Sequence, residues 1–443
     1  MKKDLLLFEI NECSFKFFIY GSKKYNFPKI YEFLRKNEIK IITQDKKEGL
    51  NLDPWVQWVS VHTGVPSSQH KVFRMGQVLS KGISQIWDVL QKKKITVLLW
   101  GLFNSNLRNT ENINLFYPDP WSFTQKAYPR EFNSFLILPR YYGKNYPNVS
   151  IFKLLIYTII FFRKIIFSKI FFYLFKNSLN FIKILFITKV KSFNLYFLLD
   201  LFSLLIVCKQ IKKKKSDLAI ISLNAFAHYQ HNYWDEKKYE FYYFWYLNKI
   251  VEQCQIIEKN YNSVIIFNGF SQKKIKPLYY LRPKNIKKFL DMLNINFLKA
   301  EQNMTTGVTV FFDKKVDKNN AICILKSISF FNQSLFEVLD YPETNKIFYK
   351  FNCVLYRKVE SIKNFKKSSF KIINKIRVLP NNLNNSFIIE KIFNNVIYIK
   401  STSKHVSSGN LYYKNLDFKP SNKKKNNYFP NHHLKKIIIN HFS

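Results

Sequence analysis

Three asparagines stand where a fold could put them to chemical use. Asn11, Asn224 and Asn268 each end a short, nearly continuous apolar run: Leu5-Leu6-Leu7-Phe8-Glu9-Ile10, Leu218-Ala219-Ile220-Ile221-Ser222-Leu223 and Val264-Ile265-Ile266-Phe267. His228 follows Asn224 by four residues, His231 follows His228 by three, and His405 lies far downstream. Imidazoles with oxygen donors are the usual holders of a divalent cation. His228 and His405, with Asn11, Asn224 and Asn268, are of residue types that such a site could draw on. Amide oxygens are weak zinc donors, and two histidines fall short of the three protein ligands of most catalytic zinc sites. Asp53, just before Pro54, could attack as a carboxylate nucleophile, ligate, or simply cap a helix. Glu9 lies two residues before Asn11, on the same strand face, and could reach a bound ligand or hold a structural polar role near the strand's end. His231 and Trp234 belong to the cluster His231-Asn232-Tyr233-Trp234-Asp235, which suits a sugar by stacking and hydrogen bonding, or else packs in the core.

The elements that must carry these residues are legible. Continuous apolar runs indicate parallel strands covered on both faces. Helical stretches lie between them, for example 85–92 and 239–259. Alternating strands and helices imply an α/β fold: a doubly wound, mostly parallel sheet with helices on both faces. In such a sheet ligands bind outside the carboxyl ends of the strands, where all three asparagines stand. Residues 53–64 carry helix punctuation, with Asp53 as N-cap, Pro54 as first helical residue and Gly64 as stop. A helix N-terminus beside that edge favours an anion. His62 and His70 flank this helix and read as structural, and Tyr117-Pro118-Asp119-Pro120-Trp121 reads as a rigid turn.

The expected organisation is a first part of the α/β domain over 1–150, an apolar and basic helical insertion over 151–216, and a second part over 217–303. A small α+β subdomain over 304–395, a return over 396–417 and a basic tail over 418–443 follow. The insertion is the outlier: residues 151–215 hold 13 Lys/Arg and one acid, Asp200. Lys169, Lys176 and Lys183 recur every seven residues and so share a helical stripe. The longest charge-poor run, 192–208, contains Asp200 and falls short of the roughly 20 apolar residues of a spanning helix. Helices packed on the domain, or lying on an anionic membrane face with lysines snorkelling, are the alternatives.

Composition excludes more than it selects. The chain has 443 residues, a net charge of +42, 47% hydrophobic residues and only 10 Gly, so collagen-like and largely disordered chains are ruled out. Lys, Asn, Ile, Phe and Tyr are inflated together, as in AT-rich coding sequences, which discounts the charge as a sign of a nucleic-acid partner. No nucleic-acid-binding motif is present, and no specific nucleic-acid binding is expected. Five scattered cysteines without metal spacing fit a reduced, cytoplasmic setting, peripheral on the inner membrane face if the insertion touches lipid. The N-terminal apolar run stops at Glu9, short of the roughly 7–15 residues of a signal-peptide core.

Taken in order, these pieces resemble the alkaline phosphatase superfamily, in particular its type I phosphodiesterase/nucleotide pyrophosphatase branch. Leu7-Phe8-Glu9-Ile10-Asn11 resembles the first strand. Trp58 through Thr63-Gly64, then Pro66 and His70, resembles the threonine-glycine, proline, histidine signature. Gln85-Ile86-Trp87-Asp88-Val89-Leu90 is similar to the helix that follows. Asn224-Ala225-Phe226-Ala227-His228 resembles the Asp-x-x-x-His metal motif, and Asn268-Gly269 stands at the Asp-His pair. His405-Val406-Ser407-Ser408-Gly409 is similar to the late His-x-x-x-Gly motif. The resemblance implies two-metal hydrolysis or transfer at phosphate or sulfate esters, usually with zinc, and makes His228, His405, Asn11, Asn224 and Asn268 the candidate metal ligands. It also marks the departures: Pro54 at the nucleophile position, asparagines at three metal-aspartate positions, and glycine for one histidine. The expectations are a phosphodiesterase-like or sulfatase-like hydrolase or transferase with an altered site, or an inactive relative binding a phosphorylated or glycan ligand.

Overall fold

The computed structural model describes residues 3–43, 52–145, 149–163, 169–189, 191–302, 306–330, 333–352, 391–392, 394–416 and 428–443. The chain forms two compact units, one of residues 1–274 with 403–443 and one of residues 275–402.

The first unit is built on an eight-stranded sheet. Its strands are β1 (Leu5–Ile10), β2 (Asn37–Ile42), β3 (Val97–Leu102), β4 (Ile113–Pro118), β5 (Leu218–Leu223) and β6 (Ser263–Phe267), completed by strands Ser408–Lys414 and Phe429–Pro430. Across the sheet the order is Phe429–Pro430, β2, Ser408–Lys414, β6, β1, β5, β3, β4. The five strands from β6 to β4 are parallel, and Ser408–Lys414 runs antiparallel between β6 and β2. The expected doubly wound, mostly parallel α/β sheet is what the chain forms. Every residue of β1, β5 and β6 is buried, because helices cover both faces. Phe8, Phe226, Tyr243 and Leu247 pack one face; Leu7, Trp58, Trp87 and Ile438 pack the other.

Helix Ser192–Lys213, the end of the expected insertion, is a core helix of this unit. It is long and apolar enough to cross a membrane by length and composition, yet 56% of its apolar window is buried in the protein. Phe193, Phe197, Leu201 and Leu204 face the sheet helices. Residues 428–443, expected as tail, instead form an edge strand and the helix Leu434–His441. Leu434, Ile437 and Ile438 recur at helical spacing and are buried under the sheet, so the apolar triplet outweighs the lysines around it.

The second unit is α+β. Strands Phe336–Tyr341, Lys346–Phe351, Val308–Phe311 and Lys299–Gln302 form an antiparallel sheet in that order, with helices Ile286–Met292 and Lys315–Ser327. Phe289, Val308, Val310, Leu325 and Tyr349 form its core. The small subdomain expected over 304–395 falls inside this unit, although 353–390 lie outside the described residues.

Candidate functional site

The register of the parallel strands sets the site. Ile10 lies beside Leu223 and Glu9 beside Phe267, so Asn11, Asn224 and Asn268 emerge together at the carboxyl edge. Parallel partners in register project to the same side, which brings the Asn11 and Asn224 amides into contact.

Those amides form a chain whose direction can be read. The Trp58 indole, on helix Pro54–Thr63, can only donate, and it donates to Asn11 Oδ1 at 2.7 Å. Asn11 Nδ2 therefore faces inward and donates to Asn224 Oδ1 at 2.7 Å, with Glu12 Oε1 at 3.2 Å. Asn224 Nδ2 then faces His228 Nε2 at 3.2 Å, which must accept. Burial, with the nearby His231 charge, holds the His228 pKa down to about 4, in keeping with a neutral accepting ring. That ring also stacks on Tyr196, centroids 3.6 Å apart. The oxygens of Asn11 and Asn224 and the Nε2 of His228 thus bond one another along a hydrogen-bonded wall. They do not belong to the group of His and acidic side chains that converges within metal-ligand distance.

Asn268 likewise bonds within the protein. Its Nδ2 donates to the Cys13 carbonyl at 2.8 Å and its Oδ1 accepts from Asn410 N–H at 2.9 Å. It brackets the loop after β1 to strand Ser408–Lys414 and turns no free oxygen to the edge. Glu9 sits one layer deeper, fully buried, paired with His62 Nε2 at 2.6 Å. Its partner His62 stands one helical turn past Trp58, so the Glu9 carboxylate is held in the interior against that helix. Trp234 packs against Phe17 with ring centroids 5.0 Å apart and is 8% exposed, so it offers no stacking face to a sugar. His70 bonds Ser60 Oγ, and its Nδ1 accepts from Val72 N–H, a structural role.

The groups that do converge are Glu12, His231 and His405, whose ligating atoms all lie within 4.8 Å of one another. Glu12 has φ +43°, a left-handed turn straight after β1 that carries its carboxylate back toward the edge. His231 comes from helix Ala225–Tyr233 and His405 from strand Val396–Val406. Glu12 Oε1 stands 3.3 Å from His231 Nε2, the two Nε2 atoms stand 3.3 Å apart, and Glu12 Oε2 forms an ion pair with His405 Nε2. Ser403 Oγ donates to Gln272 Oε1 at 2.6 Å, so it can only accept from His231 Nδ1 at 3.1 Å. That places the proton of a neutral His231 on Nδ1, and its Nε2 faces the cluster while also accepting from Gln272 Nε2 at 3.0 Å.

Charge follows geometry. Burial pushes the Glu12 carboxyl up, but the His405 and His231 charges and hydrogen bonds outweigh it and leave the pKa far below the usual carboxylate range. Burial depresses His405, and the Glu12 charge, the hydrogen bond to Glu12 and the charge of Asp53 more than reverse this, raising it. Asp53 thus lies within electrostatic reach of the cluster. It has the extended backbone of an N-cap, but its side chain makes no cap hydrogen bond. Pro54 is the first helical residue.

A divalent cation fits this donor set. Ligands about 2.0–2.1 Å from a tetrahedral zinc stand roughly 3.3 Å apart, the separation found on two edges of the triangle. Two imidazoles with one carboxylate form a recurrent catalytic zinc set, which leaves a fourth position open. Sequence reasoning named His405 as a candidate ligand and His231 as a ligand-binding neighbour but did not name Glu12. The signal was an acid one residue beyond a strand end, hidden because strict alternation points it to the other face.

Helix Ser192–Lys213 also builds the site. Tyr196 supports His228, and Asp200 Oδ2 accepts the backbone N–H groups of Asn224 and Ala225 at 2.9 and 2.8 Å, closing the N-terminus of the histidine helix. Burial pushes the Asp200 pKa up to about 7 against those two bonds.

No protein-family model and no curated protein sequence matches the chain. Among solved structures it is similar to phosphonoacetate hydrolase from Sinorhizobium meliloti 1021, at 9% identity and a TM-score of 0.46, over 100% of this chain and 96% of that one. It is also similar to murine ectonucleotide pyrophosphatase/phosphodiesterase 5, at 7% identity and a TM-score of 0.46, over 99% and 94% of the two chains. The human form gives 8% identity and a TM-score of 0.45 over the same shares. The motifs that resemble the type I phosphodiesterase branch lie on strand ends β1, β5 and β6, on helices Pro54–Thr63, Ile86–Lys92 and Ala225–Tyr233, and on strand Val396–Val406.

Proposed function

We propose that the chain holds one divalent cation, zinc by the chemistry of its donors, on Glu12, His231 and His405. There it acts on a phosphate or sulfate ester, in a variant of the phosphodiesterase-type chemistry its motifs resemble. The observation that carries this reading is the triangle of Glu12 Oε1, His231 Nε2 and His405 Nε2, with two edges of 3.3 Å at the sheet's carboxyl edge. When bound, the cation supplies positive charge to the ester oxygens. This chain's own residues set the rest. Proline at position 54 has no attacking atom, so no ester passes to that residue. Asp53 and His405 lie close enough to influence each other's charge, which suits them to hold a proton near the ligand. The chain from Trp58 to His228 gives the pocket wall a fixed polarity.

A second reading, a ligand-binding relative without turnover, is favoured by Pro54 and by the use of Asn11 and Asn224 in that wall. One set of measurements separates the two. Metal-stripped protein is titrated with zinc and manganese, then assayed on bis(p-nitrophenyl) phosphate and p-nitrophenyl sulfate. The first reading expects about one equivalent of metal and nitrophenol release that is lost in His231→Ala and His405→Ala. Metal-dependent binding of a phosphate ester, seen by 31P line broadening without hydrolysis, selects the second. A protein that retains no metal and binds neither ester overturns both.

A further inference from the structure

The helices Ile151–Arg163 and Lys169–Ile187 carry a surface unlike the rest of the molecule. Among the described residues, 25 large apolar side chains are exposed, and 12 of them lie between Ile151 and Leu195. Isolated exposed apolar residues are ordinary on a soluble surface, but a concentration of this kind marks a binding face. On Lys169–Ile187 the outward stripe reads Phe172, Lys176, Leu179, Lys183, Phe186, while Phe181 and Ile184 point into the core. The spacing of four, three, four and three residues keeps the stripe on one helical face. Leu179 and Phe186 are 79% and 80% exposed. On Ile151–Arg163 the exposed residues Ile151, Leu155 and Ile159 recur every four positions around Lys153, and Ile151 is 75% exposed.

We infer that the exposed stripe of Lys169–Ile187 docks on an anionic lipid bilayer. Charge complementarity selects that occupant. Residues 151–199 carry eight Lys/Arg and no acid, and the acid that follows, Asp200, is buried. A second copy of the chain would set these cations against themselves. A lipid surface takes up the apolar side chains at the acyl boundary and meets the lysines, whose aliphatic stems let the ammonium groups reach the phosphates. The core helix Ser192–Lys213 stays in the protein, so this is contact along the surface and not a crossing.

The test is co-flotation of the whole protein with vesicles of phosphatidylcholine alone and of phosphatidylcholine with phosphatidylglycerol. Wild type is expected to float with the anionic vesicles and remain behind with the neutral ones. Reversing two charges with Lys176→Glu and Lys183→Glu should weaken partition at least about 30-fold. Leu179→Ser with Phe186→Ser should weaken it comparably at 0.5 M salt, where the apolar contribution dominates. All four residues are exposed, so unchanged circular dichroism and melting of each variant serve as the folding control. Failure of wild type to float with anionic vesicles overturns the proposal. So does equal flotation of wild type and both variants. Wild type running as a dimer that either variant converts to a monomer assigns the face to a second copy and overturns it as well. Capture of an acidic soluble protein that prevents flotation does the same.

Discussion

Replacing Glu12 by Gln removes one of three donors and the only carboxylate in the proposed metal site, and the effect can be sized. Structural zinc sites bind with about 10–16 kcal/mol, so one donor in three is worth on the order of 3–5 kcal/mol, or roughly 10²–10⁴-fold in affinity. At zinc 100-fold above its dissociation constant, wild type gains about 2.7 kcal/mol from binding. For a unit of this size that is a rise of roughly 4 °C in melting temperature. In Glu12→Gln the same zinc concentration yields at most about 0.4 kcal/mol, a shift below about 1 °C. The assay is thermal melting with EDTA and with stepped zinc, paired with metal analysis of the desalted protein. Proton linkage supplies a second readout. In the metal-free protein the raised His405 pKa contributes stability that is full below about 6.5 and fades as pH rises through the folded value. The depressed Glu12 pKa contributes stability present above about 4.3 and lost as pH falls. The pair therefore stabilises most in the window between, and with EDTA Glu12→Gln should lose most there and least at pH 9. Because protons compete with zinc for His405, zinc affinity of wild type should rise with pH across that same titration. An equal zinc-induced shift in wild type and Glu12→Gln would refute the ligand assignment, whatever the pH profile.

Two further perturbations probe the supports of the site. Burial keeps the Asp200 pKa at about 7, against about 3.9 in the unfolded chain, so between those values the folded state binds the extra proton and stability falls as pH rises, by up to roughly 4 kcal/mol. Asp200→Asn keeps an oxygen for the Asn224 and Ala225 N–H groups and has no proton to lose; urea melts from pH 4 to 8 should show the falling limb reduced, and a decline equal to wild type would refute the role given to Asp200. A methyl group at Gly409 would collide with Asn268 Oδ1 and stand 2.9 Å from Ile41 Cδ1, so Gly409→Ala should cost about 1–3 kcal/mol by displacing the Asn268 bracket. An unchanged melting temperature in that variant would show that the bracket yields freely.

The fold was legible where the burial pattern is simple. The runs ending at Asn11, Asn224 and Asn268 are continuous because helices cover both faces of the sheet, and that continuity announces parallel strands without ambiguity. The ends of the chain's apolar segments were harder. Helix Ser192–Lys213 has the composition of a membrane-seeking insertion, and only three-dimensional packing shows it to be a core helix that supports His228 through Tyr196. The helix Leu434–His441 was hidden by the lysines around Ile437 and Ile438, since local charge says nothing about the sheet face waiting to cover one side. At the site, the sequence shows which types of residue are present but not which lone pairs are already taken. Asn11, Asn224 and His228 stand at the expected strand and helix positions, and there they bond one another along one wall while Glu12, His231 and His405 converge beside it. Glu12 escaped notice because a single positive φ reversed its direction, a choice of backbone that strand periodicity does not encode.

The charge balance of this arrangement bears on what the site would accept. The carboxylate among the converging groups is Glu12, with Asp53 near enough to act on His405. One divalent cation on Glu12 and two neutral imidazoles leaves a net positive charge in a largely buried setting, where an uncompensated charge is costly. An anionic ligand in the open position removes that cost, and an ester oxyanion does so better than a neutral sugar. With a single carboxylate beside the proposed cation, the charge balance favours drawing in an anion. Turnover then depends on whether a nucleophile can be found without residue 54, and Asp53, adjacent in sequence and close enough to His405 to raise its pKa, is the group placed for that role or for holding the proton it requires.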